Sequence, residues 1–241
     1  MGYTLITGAT SDIGIQICKT LEASGHKLLM TDLSKESLEE LKNNLENPSQ
    51  HEILPLDLSD VEQSADILTA FLKENEIRVS KAVFAAGIFA VKPLRMIDYA
   101  FLKKSYDIAV FSIFAIMKVL ASKKNNGDVL GNVVVISSVN AKMGVKGYSV
   151  YGSLKASMLG LVKSLAVELA PRVRVNAILP GGIRTRTTKF LYNASEEVNP
   201  RYLLGEGKKE NISKMIEFLL SDNSEWITGQ EFVVDGGLTS N

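Results

Sequence analysis

Tyr151 and Lys155 stand four residues apart in Tyr-Gly-Ser-Leu-Lys, and Ser138 lies thirteen positions before the tyrosine, at the end of the apolar run Val133-Val134-Val135-Ile136. The apolar spacing from Tyr148 to Leu169 predicts a helix, and a four-residue step on a helix puts the phenol and the ammonium on one face. A free phenol titrates near 10, and a cation within a few ångströms favours phenolate and lowers that value by roughly 1 to 3. A tyrosine so placed becomes a workable general acid or base at neutral pH. The plainer alternative is a solvated helix pair, and the rest of the chain weighs against it.

Those three residues need a scaffold, and the N-terminus begins one. Tyr3-Thr4-Leu5-Ile6 reads as a short buried strand that runs into Thr7-Gly8-Ala9-Thr10-Ser11-Asp12-Ile13-Gly14 and then an amphipathic helix through Leu21. Strand, glycine-bearing turn and helix start bring unpaired N–H groups and the positive end of the helix dipole to one point, which suits a diphosphate. Without its flanks, the loop would be an ordinary strand-to-helix turn.

Eighteen residues past Gly14, the strand-like run Lys27-Leu28-Leu29-Met30-Thr31 ends in Asp32. An acid about 20 residues beyond such a loop accepts hydrogen bonds from the ribose hydroxyls of a dinucleotide. It also repels a 2′-phosphate: at an effective dielectric near 20, a like charge at about 4 Å costs roughly 4 kcal/mol. Ser11 and Leu33, the places for a compensating cation, are not basic. NAD preference over NADP is the expectation, and a helix-capping role for Asp32 before Ser34 is the alternative.

With the loop, the acid, Ser138, Tyr151 and Lys155 together, the chain resembles the short-chain dehydrogenase/reductase family over essentially its whole length. Further matches are Asp57-Leu58, Ala86-Gly87, the run from Val175 through Pro180-Gly181-Gly182-Ile183-Arg184-Thr185, Ile227-Thr228-Gly229-Gln230, and Val234-Asp235-Gly236-Gly237. The resemblance implies a dinucleotide site formed by Gly8, Ser11, Asp12, Ile13, Gly14 and Asp32. In it Asp57 and Leu58 hold the adenine, Ala86 and Gly87 border the cofactor, and Pro180, Gly181, Ile183 and Thr185 lie toward the nicotinamide. It also implies that Ser138 binds the substrate oxygen, Tyr151 exchanges the proton, and Lys155 binds the nicotinamide ribose and depresses the Tyr151 pKa.

Three positions depart from the family pattern. Asp12 replaces the middle glycine of the loop, and the expectation is that it points away from the diphosphate and caps the helix. Phe84-Ala85 stand where paired asparagines usually brace the central strands. Ala109, in Tyr106-Asp107-Ile108-Ala109, replaces the asparagine that supports a relay water, so reduced or substrate-restricted activity is expected.

Composition bounds the reading. The 241 residues suit a single α/β domain with a sizeable core, and 27 basic residues balance 27 acidic ones, so global charge favours neither nucleic acid nor a membrane surface. Cys18 is expected in the core, and His26 and His51 lack zinc-ligand spacing. No apolar run reaches the roughly 18 residues of a membrane span, and the first strand starts almost at Met1, so a cytoplasmic protein is expected. Strand-like runs near 3–7, 27–32, 52–57, 81–85, 132–137, 173–179 and 231–234 alternate with helical patterns, which predicts a doubly wound parallel sheet, the Rossmann fold, in one domain over 1–241. The polar stretch 123–128 reads as a solvated turn.

In the family, the mixed segment 186–210 forms the substrate lid. There Phe190, Leu191, Tyr192, Tyr202, Leu203 and Leu204 either wall the substrate or pack on the core. The expected activity is a nicotinamide-dependent alcohol dehydrogenase or carbonyl reductase for a small molecule. A 3-oxoacyl carrier-protein reductase and a dinucleotide binder without turnover are the alternatives. Members usually assemble as tetramers or dimers, and the apolar spread from Ile108 to Leu120 (Val110, Phe111, Ile113, Phe114) fits such an assembly.

Overall fold

The computed structural model describes residues 2–89, 91–188 and 200–240. Seven strands form one sheet: β1 (Tyr3–Thr7), β2 (Leu28–Asp32), β3 (Glu52–Pro55), β4 (Val79–Phe84), β5 (Asn132–Ile136), β6 (Arg174–Pro180) and β7 (Glu231–Val234). Their order is β3-β2-β1-β4-β5-β6-β7, and every neighbouring pair is parallel. Each of the expected strands is present, with ends within a few residues of the apolar runs.

Parallel strands bury both faces, which is why β5 is apolar at consecutive positions. Side chains alternate across the sheet. Val133 and Val135 enter one core with helices α3 (Val61–Glu74), α5 (Ser112–Leu120) and α7 (Ser149–Glu168), while Val134 and Ile136 enter the other with α1 (Asp12–Ala23), α2 (Lys35–Asn43) and α8 (Lys209–Leu220). Cys18 is fully buried in the second core. The sheet reverses its winding between β1 and β4, so their C-terminal ends open the crevice in which such sheets bind ligands.

Several local expectations change. The stretch taken as a solvated turn contains a one-turn helix, α6 (Lys123–Asn126), whose Asn126 is fully buried. That amide accepts from Val79 N–H (2.7 Å) and donates to the Val79 and Leu120 carbonyls (2.7 and 2.9 Å), pinning α5 to β4. Val110 and Ile113 do not add to an exposed apolar face: both are buried in the chain's own core, and only Phe111 and Phe114 are about half exposed. Between α4 (Tyr99–Tyr106) and α5 the backbone widens into a π-turn over Asp107–Phe111, centred on the buried Ala109. Such widenings concentrate at functional sites. His51 is committed to structure, accepting from Leu28 N–H through Nδ1 (3.2 Å) and meeting the Glu22 carboxylate through Nε2 (3.0 Å).

Candidate active site

Every strand from β1 to β6 ends at the same edge of the sheet, and the candidate residues follow those ends. After β5, Ser137 ties the chain down by donating from its hydroxyl to the Lys155 carbonyl (2.8 Å). Ser138 then opens a short 3₁₀ turn, its Oγ accepting from Asn140 N–H at 3.2 Å. Helix α7 starts at Ser149, so Tyr151 sits in its first turn and Lys155 one turn on. All three line a cleft of about 580 Å³, together with Ile13, Gly87, Pro180, Gly181, Ile183 and Thr185.

The tyrosine and the lysine share a face, as the four-residue step requires, with Nζ 5.8 Å from the phenol ring centre. Lys155 aims its ammonium at the Ile136 carbonyl (2.7 Å). Burial pushes its pKa down from 10.5 to about 8. Burial also pushes the Tyr151 phenol above its usual value, with Tyr148 adding to the rise and the Ser138 hydroxyl pulling the other way. The expected lowering of the phenol by Lys155 is thus overturned in this geometry, because desolvation disfavours the charged form of each group and the ammonium is spent on a carbonyl. Phe89 and Tyr148 pack edge-on against the Tyr151 ring at 5.0 and 5.9 Å and account for that dry environment.

The other half of the crevice holds the loop. Ser11, not Asp12, caps α1, accepting from Gly14 N–H at 3.0 Å. A Cβ on Gly14 would stand 2.2 Å from the Gly8 carbonyl oxygen, and one on Gly8, at φ +68°, would meet the Ala86 Cα at 2.8 Å, so helix, loop and β4 close together only with glycine at both positions. The missing asparagines are compensated in part by Thr7, whose hydroxyl accepts from the Ala85 and Ala86 N–H groups (3.2 and 3.3 Å). Asp12 corrects a second expectation. It is the first residue of α1 and binds Arg186, whose backbone N–H and Nε reach its two carboxylate oxygens at 2.5 and 2.8 Å. Burial works against that carboxylate, but the Arg186 contacts and charge, with Lys209 adding, hold its pKa below the usual range.

Asp32 ends β2 beside this loop. Its Oδ2 accepts from Thr10 N–H (3.0 Å) and Thr10 Oγ1 (2.7 Å), and its Oδ1 from Leu33 N–H (2.8 Å). The capping alternative fails, since Ser34 itself caps α2 by accepting from Ser37 N–H. Asp57 turns to Ser59, whose hydroxyl and N–H (2.7 and 2.9 Å) hold its pKa down. The Leu58 side chain is in the core. Gly8, Ser11, Asp12, Gly14, Asp32, Asp57, Leu58 and Ala86 lie outside the lining of the 580 Å³ cleft.

Of the lid residues, Phe190, Leu191 and Tyr192 lie outside the described residues. Tyr202 lines the cleft and its hydroxyl accepts from Gly182 N–H at 2.8 Å, whereas Leu203 and Leu204 are 62% and 86% exposed and form no wall over it. Sequence reasoning missed Thr10, Phe89, Asn140, Tyr148, Arg186 and Thr188. Tyr148 was within reach, three residues before Tyr151 on the same helix face; Arg186 carries no local signal, its partner being 174 residues away.

A doubly wound sheet with a Ser, Tyr and Lys cleft beside a glycine loop defines an oxidoreductase scaffold, and comparison with known proteins agrees. The family described as enoyl-(acyl carrier protein) reductase matches residues 8–239. A 3-oxoacyl-[acyl-carrier-protein] reductase of Thermotoga maritima is 32% identical over 97% of this chain and 96% of its own. Among solved structures, 4-hydroxyisoleucine dehydrogenase complexed with NADH superposes with a TM-score of 0.91 at 27% identity over all of both chains. ElxO with NADP bound gives 0.86 at 26% identity over 100% of this chain and 99% of that one. The chain belongs to the short-chain dehydrogenase/reductase family. It is an oxidoreductase that transfers hydride between a nicotinamide cofactor and a carbonyl or alcohol group.

Proposed function

We propose that Ser138, Tyr151 and Lys155 carry the proton chemistry of an NAD-preferring carbonyl reductase or alcohol dehydrogenase acting on a small molecule. The observation that carries this reading is the convergence of all three side chains, from β5 and α7, on one cleft beside the glycine loop. The residues fit a dinucleotide: glycines at 8 and 14 leave a cradle that a Cβ would fill, and an acid stands at the ribose end. The cofactor, when bound, supplies or accepts the hydride.

Ser138 presents its hydroxyl to the substrate oxygen and fixes its position. Tyr151, kept protonated by burial, donates its phenolic proton to the oxygen of a carbonyl, and in the reverse direction takes the alcohol proton. Lys155, held by the Ile136 carbonyl one turn past the phenol, stands ready for ribose hydroxyls. Gly8, Ser11, Asp12, Ile13, Gly14, Asp57, Leu58, Ala86, Gly87, Pro180, Gly181, Ile183 and Thr185 complete the cofactor site in this reading. Asp32 supports NAD over NADP because its carboxylate is fixed by three donors and no cation flanks it at Leu33 or Ser11.

The substrate lid expected over 186–210 is represented by Thr188, Arg201 and Tyr202, which line the cleft, while residues 189–199 lie outside the described residues. A cytoplasmic dimer or tetramer completes the assignment, with the exposed Phe111 of the π-turn and Phe114 of α5 available to a second copy. The 3-oxoacyl reductase reading is favoured by the T. maritima relative. NADH titration followed by a panel of ketones, alcohols and a 3-oxoacyl thioester separates the readings. Turnover lost in Tyr151→Phe is expected, and binding without hydride transfer on any compound leaves a silent binder.

A further inference from the structure

The loop acid Asp12 stands where a dianionic diphosphate approaches, so by charge alone it should weaken cofactor binding. Its surroundings say otherwise. One carboxylate oxygen accepts the Arg186 backbone N–H and the other accepts Nε, while an Nη2 hydrogen of the same guanidinium bonds the Thr10 carbonyl at 3.0 Å. The remaining guanidinium hydrogens bond none of the described residues, and the side chain is 69% exposed. Lys209, at the start of α8, adds a second positive field at Asp12. One acid therefore faces two cations at the N-terminus of α1. The backbone bond also anchors the turn in which Thr188 Oγ1 accepts from Thr185 N–H (3.0 Å) and donates to the Ile183 carbonyl (2.9 Å), the turn that brings Thr185 and Thr188 into the cleft wall.

We infer that Asp12 is a positioning residue that holds Arg186 across the glycine loop, and that Arg186 is a diphosphate-binding residue of this enzyme. The acid in the glycine position exchanges a neutral loop for a strap from α1 to the turn after β6, with a guanidinium held against the glycine loop. Planar, multiply donating arginine suits that role better than lysine. This inference rests on the dinucleotide reading above.

Equilibrium binding of NADH, ADP and adenosine to the wild type, Arg186→Ala, Arg186→Lys, Asp12→Gly and the double variant tests it. Arg186→Ala is expected to weaken NADH and ADP alike by about tenfold or more and adenosine little, since only the first two carry a diphosphate. Asp12→Gly is expected to weaken both as well, although it deletes a negative charge, and the double variant to match the single ones. Arg186→Lys should recover only part of the loss. In the cofactor-free protein, hydrogen exchange at the Arg186 amide should be slow in the wild type and fast in Asp12→Gly. Tighter or unchanged NADH binding by Asp12→Gly, or a double variant that binds like the wild type, overturns the inference, because Arg186 would then serve only to neutralise Asp12. A wild type that binds no NADH would instead remove the dinucleotide reading itself.

Discussion

The two halves of the crevice solve different problems. On the proposed nicotinamide side, Lys155 is buried and Tyr151 partly buried, and desolvation moves both toward their neutral forms. On the proposed adenosine side, Asp32 and Asp57 lie at or near the surface and are held by the chain's own hydroxyls and N–H groups. One half stores reactivity by withholding water, and the other stores recognition by fixing acceptors in advance. The contrast teaches that a tyrosine four residues from a lysine is not automatically an ionised one. Under the proposed role, a phenol that starts protonated suits carbonyl reduction at neutral pH.

The contrast breaks most sharply at the phenol. Tyr151→Phe keeps the ring contacts with Phe89 and Tyr148 but removes the proton donor, and kcat/KM should fall by about 10² to 10⁴ in steady-state assays. On the other side, Asp32→Ser should leave the chemistry intact and shift the ratio of specificity constants toward NADPH by roughly 10², as the repulsion of a 2′-phosphate is lifted.

Burial of Lys155 sharpens the comparison through stability. Its folded pKa of about 8 lies below the unfolded 10.5, so the folded state binds fewer protons between those values and the buried charge is a burden below about pH 8. Lys155→Met should therefore abolish turnover yet raise the unfolding midpoint by a few degrees at pH 7, out of on the order of 3 kcal/mol less the lost Ile136 hydrogen bond. The gain should shrink as pH rises from 8 to 10.5 in calorimetric scans. The smallest effect is expected at the π-turn: Ala109→Asn should raise kcat by a few-fold, and an unchanged rate and pH profile would mean that the widened backbone needs no side chain there.

Much of this was legible because it depends on short-range spacing. The strand, loop and helix around Gly8 and Gly14, the acid at the end of β2, and the helical step from Tyr151 to Lys155 are each set within one or two elements, where periodicity and turn chemistry act directly. The pairing of Asp12 is not legible in this way, because a capping aspartate and an ion-paired one look the same until α1 and the turn after β6 are brought together. The burial of Val110 and Ile113 is not legible either, because apolar residues in a helical stretch do not say which face meets the chain's own core. Asn126 stands in a polar run at a helix end, where side chains are usually solvated, yet folding buries it.

The sequence by itself determined the winding of the sheet, the order of the site residues along the strand ends, and the family, since these follow from local pattern and from the parallel connections that pattern allows. The tertiary structure alone decided the direction of the phenol and ammonium pKa values, the pairing of Asp12 with Arg186, and the turning of Lys155 to a main-chain carbonyl. The reason is physical: desolvation and long-range ion pairing depend on what surrounds a group in space, and residues 174 positions apart acquire that relation only when the chain is folded.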